Sequence, residues 1–111
     1  MKLQQIVEEL NLEVKTGSSK LDQEVTGGYM GDLLSDVMGN SKEGELWITI
    51  QRHQNIVAVA SLKELSGIIL ANNREPEEET LKRAEEEGVV IMVTELGAFE
   101  IAGRLYNLLK S

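Results

Sequence analysis

The sequence predicts a single α/β domain in which helices flank a mainly parallel sheet. Strand-like apolar segments alternate with amphipathic helix-like segments along the chain, and short connections join them. Two of the strand-like segments are apolar without interruption, which is typical of parallel strands covered on both faces. The length of 111 residues fits one domain. We therefore expect one domain over residues 1–111, with an N-terminal helix over 1–11 and an α/β body over 12–111.

The chain is predicted to begin with a short amphipathic helix over residues 3–10, because its apolar residues recur at helical spacing. One face of this helix should pack on the core. A short strand over residues 12–15 follows and ends at the turn Gly17-Ser18-Ser19. The pair Gly27-Gly28 is interpreted as a second turn.

A two-turn helix is predicted next, over residues 32–38, with Asp32 as its N-cap and Gly39-Asn40 at its end. Residues 46–50 are rich in branched and aromatic side chains, which indicates a buried central strand. Residues 55–65 fit both a strand and a helix, and a helix is favoured because apolar residues keep helical spacing.

The second half of the chain continues the alternation of predicted strands and helices. Ile68-Ile69-Leu70 predicts a strand, and Pro76 opens a helix that Gly88 ends. The acidic run of this helix is interpreted as a solvated surface. Residues 89–93 predict another buried strand, and residues 98–109 predict the last helix.

Composition excludes several classes of site and partner. The chain has no cysteine and one histidine, which excludes disulfides, thiol nucleophiles, zinc fingers and iron-sulfur centres, so no metal and no cofactor are predicted. The formal net charge of -8 would repel nucleic acid and anionic membranes. Carboxylates interrupt the first helix, where a signal peptide needs an apolar run, so a cytoplasmic location is predicted.

The glycine-rich segments do not match nucleotide-binding motifs. The segment 16–20 resembles a phosphate loop superficially, but it lacks the second glycine and the helix that should follow. Gly27, Gly28 and Gly31 have the wrong spacing for a dinucleotide fingerprint. Both segments are interpreted as turns.

Polar side chains follow the predicted strand over residues 46–50. Gln51 and His53 would share one side of an extended chain, and parallel sheets bind ligands at the carboxyl ends of their strands. The alternative is that these groups satisfy the strand end and cap the helix that starts near Asn55. The candidate ligand-binding residues are Thr26, Gly27, Gly28, Gln51, His53, Asn55 and Thr94.

The segment Glu24-Val25-Thr26-Gly27-Gly28 resembles the motif that names the DRTGG domain family, with Thr-Gly-Gly kept and the first two letters changed. The change removes a cationic arginine. Further segments resemble that domain in order and spacing, and together they cover nearly the whole chain after the first helix. These segments are Leu21-Asp22, Ile48-Thr49, Asn55 to Ala60, Gly67 to Leu70 and Thr94 to Ala102.

The resemblance implies a fold similar to the N-terminal domain of HPr kinase/phosphorylase. DRTGG domains also accompany phosphate acetyltransferases and CBS-containing pyrophosphatases, where other domains perform the chemistry. The resemblance therefore implies a free-standing, non-catalytic regulatory or interaction module that acts on separate partner proteins. One alternative is a sensor of a small anionic molecule, a nucleotide or phosphorylated metabolite, with its pocket at the strand ends. A further alternative is an enzyme with His53 as general base, although no residue near it in sequence would orient it.

The last helix predicts a homodimer, because it is apolar around much of its circumference and one face suffices for the core. The alternative is that its second apolar face lies under the N-terminal helix. The candidate interface residues are Phe99, Ile101, Leu105, Tyr106, Leu108 and Leu109.

Overall fold

The computed structural model describes all residues from Met1 to Ser111 and contains five strands and five α-helices. The strands are β1 (Glu13–Thr16), β2 (Gly27–Met30), β3 (Glu45–Thr49), β4 (Gly67–Leu70) and β5 (Ile91–Val93). The helices are α1 (Leu3–Glu9), α2 (Leu34–Asn40), α3 (Asn55–Leu62), α4 (Glu78–Glu87) and α5 (Ala98–Lys110), and a 3₁₀ turn covers Ser18–Lys20.

The strands form one sheet in the order β1-β5-β4-β3-β2. Strands β2, β3, β4 and β5 are parallel, and β1 pairs antiparallel with β5. The predicted α/β class and mainly parallel sheet are therefore confirmed. No helix has the length and apolar character that crossing a membrane requires.

Each face of the sheet carries its own apolar core, which explains the uninterrupted apolar strands. Leu46, Ile69 and Met92 point to the face that α1 and α5 cover. Trp47 and Ile68 point to the opposite face, under α2, α3 and α4. All five side chains are fully buried, and burial of each such side chain contributes about 1.5–3 kcal/mol.

The interpretation of Gly27-Gly28 as a turn is wrong, because these glycines begin strand β2. A Cβ atom on Gly28 would lie 3.1 Å from Cδ2 of Leu105 in α5. Glycine at this position thus lets α5 pack closely on the strand. Two glycines lower the strand propensity of such a short segment. They also contribute no side chains to an alternating pattern, so the sequence did not indicate a strand here.

All five helices lie where the sequence predicts them, but some of their ends differ. α4 begins at Glu78 with Glu77 as its N-cap, so the prediction that Pro76 opens it is wrong. α3 ends at Leu62 rather than at residue 65. α2 begins at Leu34 with Leu33 as its N-cap, so the predicted Asp32 cap is wrong. Residues 55–62 are helical, and Gly88 ends α4 with a φ of 70°. The left-handed backbone explains why glycine follows this helix.

The last helix places the predicted dimer residues in different environments. Ile101 and Leu105 are 0% and 2% exposed and belong to the core of the single chain, which removes them from the predicted interface. Phe99 and Tyr106 are 90% and 63% exposed on the outer side of α5. Leu108 and Leu109 are half-buried at the margin of the core.

Candidate functional site

The carboxyl ends of four parallel strands lie along one edge of the sheet, where the loops 50–54, 71–77 and 94–97 lead into α3, α4 and α5. We call this edge the carboxyl edge. The amino end of β1 joins it, because Glu13 lies opposite Val93 in the antiparallel pair. In parallel sheets this edge is the usual place for a ligand, because strand ends and helix amino termini converge there.

Asp32 fixes the start of the loop that follows β3. Its Oδ1 accepts hydrogen bonds from the Thr49 hydroxyl at 2.7 Å and from the Ile50 N–H at 3.0 Å. Its backbone carbonyl accepts a third bond, from Nε2 of Gln51 at 3.0 Å. The Gln51 side chain is thereby directed toward the β2–α2 connection.

His53 is exposed and lies at the amino terminus of α3. Its Nδ1 accepts a hydrogen bond of 3.2 Å from the N–H of Asn55, and its carbonyl accepts one of 3.1 Å from the N–H of Ile56. These are the bonds that a capping residue makes at the start of a helix. The N-cap of α3 is Gln54, so the His53 imidazole satisfies a backbone N–H of the first turn from one residue further out, and its role in ligand binding stays a prediction.

Two arginines at the carboxyl edge were missed in the sequence reading, although Arg52 directly precedes His53. Arg52 donates from Nε to the backbone carbonyl of Glu75, and its own carbonyl accepts a bond of 2.7 Å from the Thr80 hydroxyl. Arg74 is exposed in the loop after β4. Neither guanidinium forms a salt bridge with a carboxylate. Both cations are therefore open to an anion.

Thr94 lies at the end of β5, two strands away from the end of β3, a separation of about 10 Å. Its Oγ1 accepts a bond of 3.2 Å from the N–H of Leu96. Asn72 and Asn73 adopt left-handed backbone conformations, with φ of 59° and 56°, and donate to the carbonyls of Leu96 and Thr94 at 2.8 Å each. The β4–α4 and β5–α5 loops are therefore tied together.

A polar cleft of about 420 Å³ opens beside these two loops. Thr94, Asn73 and Arg104 line it, together with carboxylates from Glu13 and Glu95. Gln51, His53 and Asn55 are outside this cleft. The carboxyl edge thus contains two separate polar regions, one after β3 and one beside β5.

Thr26 does not join the other candidate residues, and its grouping with them is wrong. It precedes β2 and therefore lies at the amino ends of the strands, opposite the carboxyl edge. Its hydroxyl donates to the Glu43 carbonyl at 2.9 Å. The structure brings together Gln51, His53 and Asn55, and ligand binding by any of these residues remains a prediction.

Gly27 and Gly28 line a different, apolar cleft of about 420 Å³ between β2 and α5. Met30, Ile48, Leu105 and Tyr106 supply apolar walls. The charged residues that line it are Glu45 and Lys110.

Ion pairs at the carboxyl edge are confined to its β1 side. Nζ of Lys15 contacts carboxylate oxygens of Glu75 at 3.0 Å and Glu13 at 3.1 Å, and these two bonds raise the pKa of Lys15 above its ordinary value. No three His, Asp or Glu side chains are grouped closely enough to hold a metal ion.

Comparison with known proteins identifies a family and finds similarity to solved structures. The model of the DRTGG domain matches residues 5–108. The crystal structure of the CBS and DRTGG domains from the regulatory region of Clostridium perfringens pyrophosphatase, complexed with the activator diadenosine tetraphosphate, superposes with a TM-score of 0.71 at 18% identity. The match covers 95% of this chain and 45% of that one, so this chain spans about half of the solved structure. No curated protein matches the sequence significantly.

Proposed function

The chain belongs to the DRTGG domain family, whose model covers residues 5–108, and from this premise we propose that it is a regulatory module without catalytic activity. The similar pyrophosphatase structure comes from a regulatory region. The observation that carries the proposal is the environment of His53, the single imidazole of the chain. Its Nδ1 is occupied by the N–H of Asn55, and no carboxylate or hydroxyl side chain is hydrogen-bonded to it to form an acid–base pair.

Nucleotide hydrolysis tests the absence of catalysis. We expect the purified chain to leave both ATP and diadenosine tetraphosphate intact during prolonged incubation. Hydrolysis that disappears in a folded His53→Ala variant would show that His53 acts as a base. Hydrolysis that persists in that variant through further purification would mean that other residues of the chain catalyse it, and it would also contradict the proposal.

The proposal includes a homodimer formed through the outer face of α5. Phe99, Gly103 and Tyr106 follow one another at helical spacing on this face, and Phe99 is 90% exposed. No atom lies within 4 Å of a Cβ built on Gly103. A second copy of the helix can therefore approach closely between the two aromatic side chains. Leu108 and Leu109 would extend the contact at its margin.

Analytical ultracentrifugation tests the dimer. We expect the chain to sediment at twice the mass of one molecule at micromolar concentration, and Phe99→Glu to sediment as a monomer. Leu62→Glu is the matched control, since Leu62 is 72% exposed on α3, away from this face. A wild-type monomer, or a dimer that persists in Phe99→Glu, would contradict the proposed interface.

A second candidate function is the binding of a small anionic molecule after β3. The bound activator of the similar pyrophosphatase structure is a dinucleoside tetraphosphate. In this chain the guanidinium groups of Arg52 and Arg74 have no carboxylate partner at the carboxyl edge. Gln51, His53 and Asn55 would supply polar groups beside them. Thr94 would contribute a polar group at the side of the site nearest β5.

Thermal unfolding in the presence of ATP or diadenosine tetraphosphate tests this candidate. A ligand at 100 times its Kd should stabilise the fold by about 2.7 kcal/mol. The stabilisation should be lost in Arg74→Ala and His53→Ala, and it should persist in Arg83→Ala, which removes a cation from α4. Equal stabilisation of all the variants would place the ligand elsewhere.

A further inference from the structure

The outer edge of β2 has unpaired backbone groups. β2 is the last strand of the sheet and pairs with β3 alone. The N–H of Gly31, the residue after β2, donates to the carbonyl of Ile48 at 3.1 Å, on the β3 side. Since successive residues of a strand direct these groups to opposite sides, the N–H and C=O of Gly28 and Met30 point away from β3. A ligand that forms hydrogen bonds with these groups must therefore present an extended polypeptide backbone.

The two edges of the sheet differ in their protection against a further strand. At the β1 edge the register shifts between Val14 and Thr16, and the ion-paired Lys15 lies there. A bulge and a lysine are two features that block edge-to-edge pairing. β2 has neither, because its register with β3 runs without a shift from Gly27 to Met30.

The apolar cleft between β2 and α5 lies directly beside this edge. Gly28 and Leu105 lie in its floor, and Met30 and Tyr106 border it with 51% and 63% of their surfaces exposed. The volume of about 420 Å³ accommodates apolar side chains from one face of an added strand.

The charges around β2 determine which kind of chain fits. Asp36 accepts the hydroxyl of Tyr29, and Glu43 and Glu45 lie beside the amino end of the strand. Lys110 is held over the ring of Tyr106, 5.4 Å from its centroid. A second copy of this chain would place the same carboxylates beside this edge and would add its own net charge of -8. A basic segment is electrostatically complementary.

We propose that the β2 edge binds an extended segment of a partner protein, with alternating apolar and Lys or Arg side chains, as an additional strand. The apolar side chains enter the cleft under α5, and the basic ones lie near Asp36, Glu43 and Glu45. The inference rests on the proposed function, because it specifies the partner of the regulatory module.

Amide NMR of the full chain tests this proposal with two synthetic peptides of about ten residues, one alternating Val with Lys and one alternating Val with Glu. With the Val-Lys peptide we expect slower hydrogen exchange at the amides of Gly28 and Met30. The Val-Glu peptide should bind at least about tenfold more weakly. Met30→Lys should abolish the effect, whereas Leu62→Lys, at an exposed site on α3, should preserve it.

Three results would overturn the proposal. The first is equal binding of the two peptides, and the second is binding without protection of the amides of Gly28 and Met30. The third is protection of these amides by self-association at high protein concentration without peptide, which would identify a second copy as the occupant. The titration is repeated in Phe99→Glu, so that loss of the proposed α5 dimer and loss of peptide binding are observed separately. Emission of the buried Trp47 verifies the fold of each variant.

Discussion

The hydroxyl of Thr16 donates a hydrogen bond of 2.8 Å to the backbone carbonyl of Val89. The same oxygen accepts a bond of 3.0 Å from the N–H of Ile91. These bonds occur where the register between β1 and β5 shifts, so the side chain replaces ladder bonds that the bulge interrupts. The one antiparallel strand is thereby attached to the parallel sheet through a buried threonine.

Thr16→Val should destabilise the chain by about 2 kcal/mol. Valine keeps the shape of the side chain but leaves the Val89 carbonyl and the Ile91 N–H without their partner. Urea unfolding followed by the emission of Trp47, the single tryptophan, measures the change. Thr16→Ser retains the hydroxyl and should cost about 1 kcal/mol, from the lost methyl group. A Val variant as stable as the Ser variant would show that these two bonds contribute little.

Most of the fold could be predicted because burial leaves a periodic pattern in the sequence. The apolar runs Ile68-Ile69-Leu70 and Val89 to Val93 mark strands covered on both faces, and the structure gives both runs to interior strands. Strand β2 could not be predicted, since Gly27 and Gly28 contribute no side chain to any pattern. Close packing with Leu105, far along the chain, accounts for glycine at position 28.

Gly44→Ala should destabilise the chain by about 1–3 kcal/mol. Gly44 has a φ of 84°, and a Cβ there would lie 2.8 Å from both Cγ2 and Oγ1 of Thr26. The double variant Gly44→Ala/Thr26→Ala separates the two causes, because it relieves the contact and leaves the backbone strain. Gly39→Ala is the control, since no atom lies within 4 Å of its added Cβ in α2. Thermal unfolding should show that variant to be unchanged or more stable, by up to about 1 kcal/mol.

Truncation of two apolar residues that lie two positions apart in α5 should change the stability by very different amounts. Ile101→Ala should cost about 2–5 kcal/mol, because Ile101 is fully buried and a cavity would remain. Phe99→Ala should change the stability of the monomer by no more than about 0.5 kcal/mol, because Phe99 is 90% exposed. Unfolding is measured in dilute solution, so that association does not contribute. A large loss in Phe99→Ala would mean that Phe99 packs within the single chain.

Less of the candidate site than of the fold could be predicted from the sequence. The alternation of residues 49–53 located polar groups at a strand end, and Gln51 and His53 do lie at the carboxyl edge. The position of Thr26 could not be predicted, because it depended on recognising β2 and its direction. Arg74 could not be singled out either, since the absence of a carboxylate partner is a property of three-dimensional packing.

The titration of Tyr29 should depend on Asp36. The hydrogen bond from its hydroxyl to the Asp36 carboxylate raises the pKa of Tyr29 above its ordinary value of about 10. The bond therefore contributes stability that is present below pH 10 and is lost as pH rises through the raised pKa. Ultraviolet titration in a Tyr106→Phe background, where Tyr29 is the one remaining tyrosine, should give a lower pKa in Asp36→Asn. Identical titration curves would show that the bond does not form in solution.

Asp32→Ala should loosen the loop that holds Gln51 and His53 and leave the rest of the sheet intact. The variant removes the acceptor of the Thr49 hydroxyl and of the Ile50 N–H, two bonds to a charged group. Because the carboxylate is partly solvated, we expect a loss of about 1–2 kcal/mol. Hydrogen exchange should accelerate at the amide of Ile50, whereas the amide of Ile91 should keep its protection relative to global unfolding.

Two further variants identify the cause of this effect. Asp32→Asn keeps an oxygen acceptor without the charge and should lie between wild type and Asp32→Ala. Asp22→Ala removes an exposed aspartate that makes no such bonds to β3 and should stay within about 0.5 kcal/mol of wild type. If Asp32→Ala accelerates exchange equally at Ile50 and Ile91, the carboxylate stabilises the whole domain. If exchange changes at neither amide, water replaces the carboxylate, and Asp32 does not position the residues that follow β3.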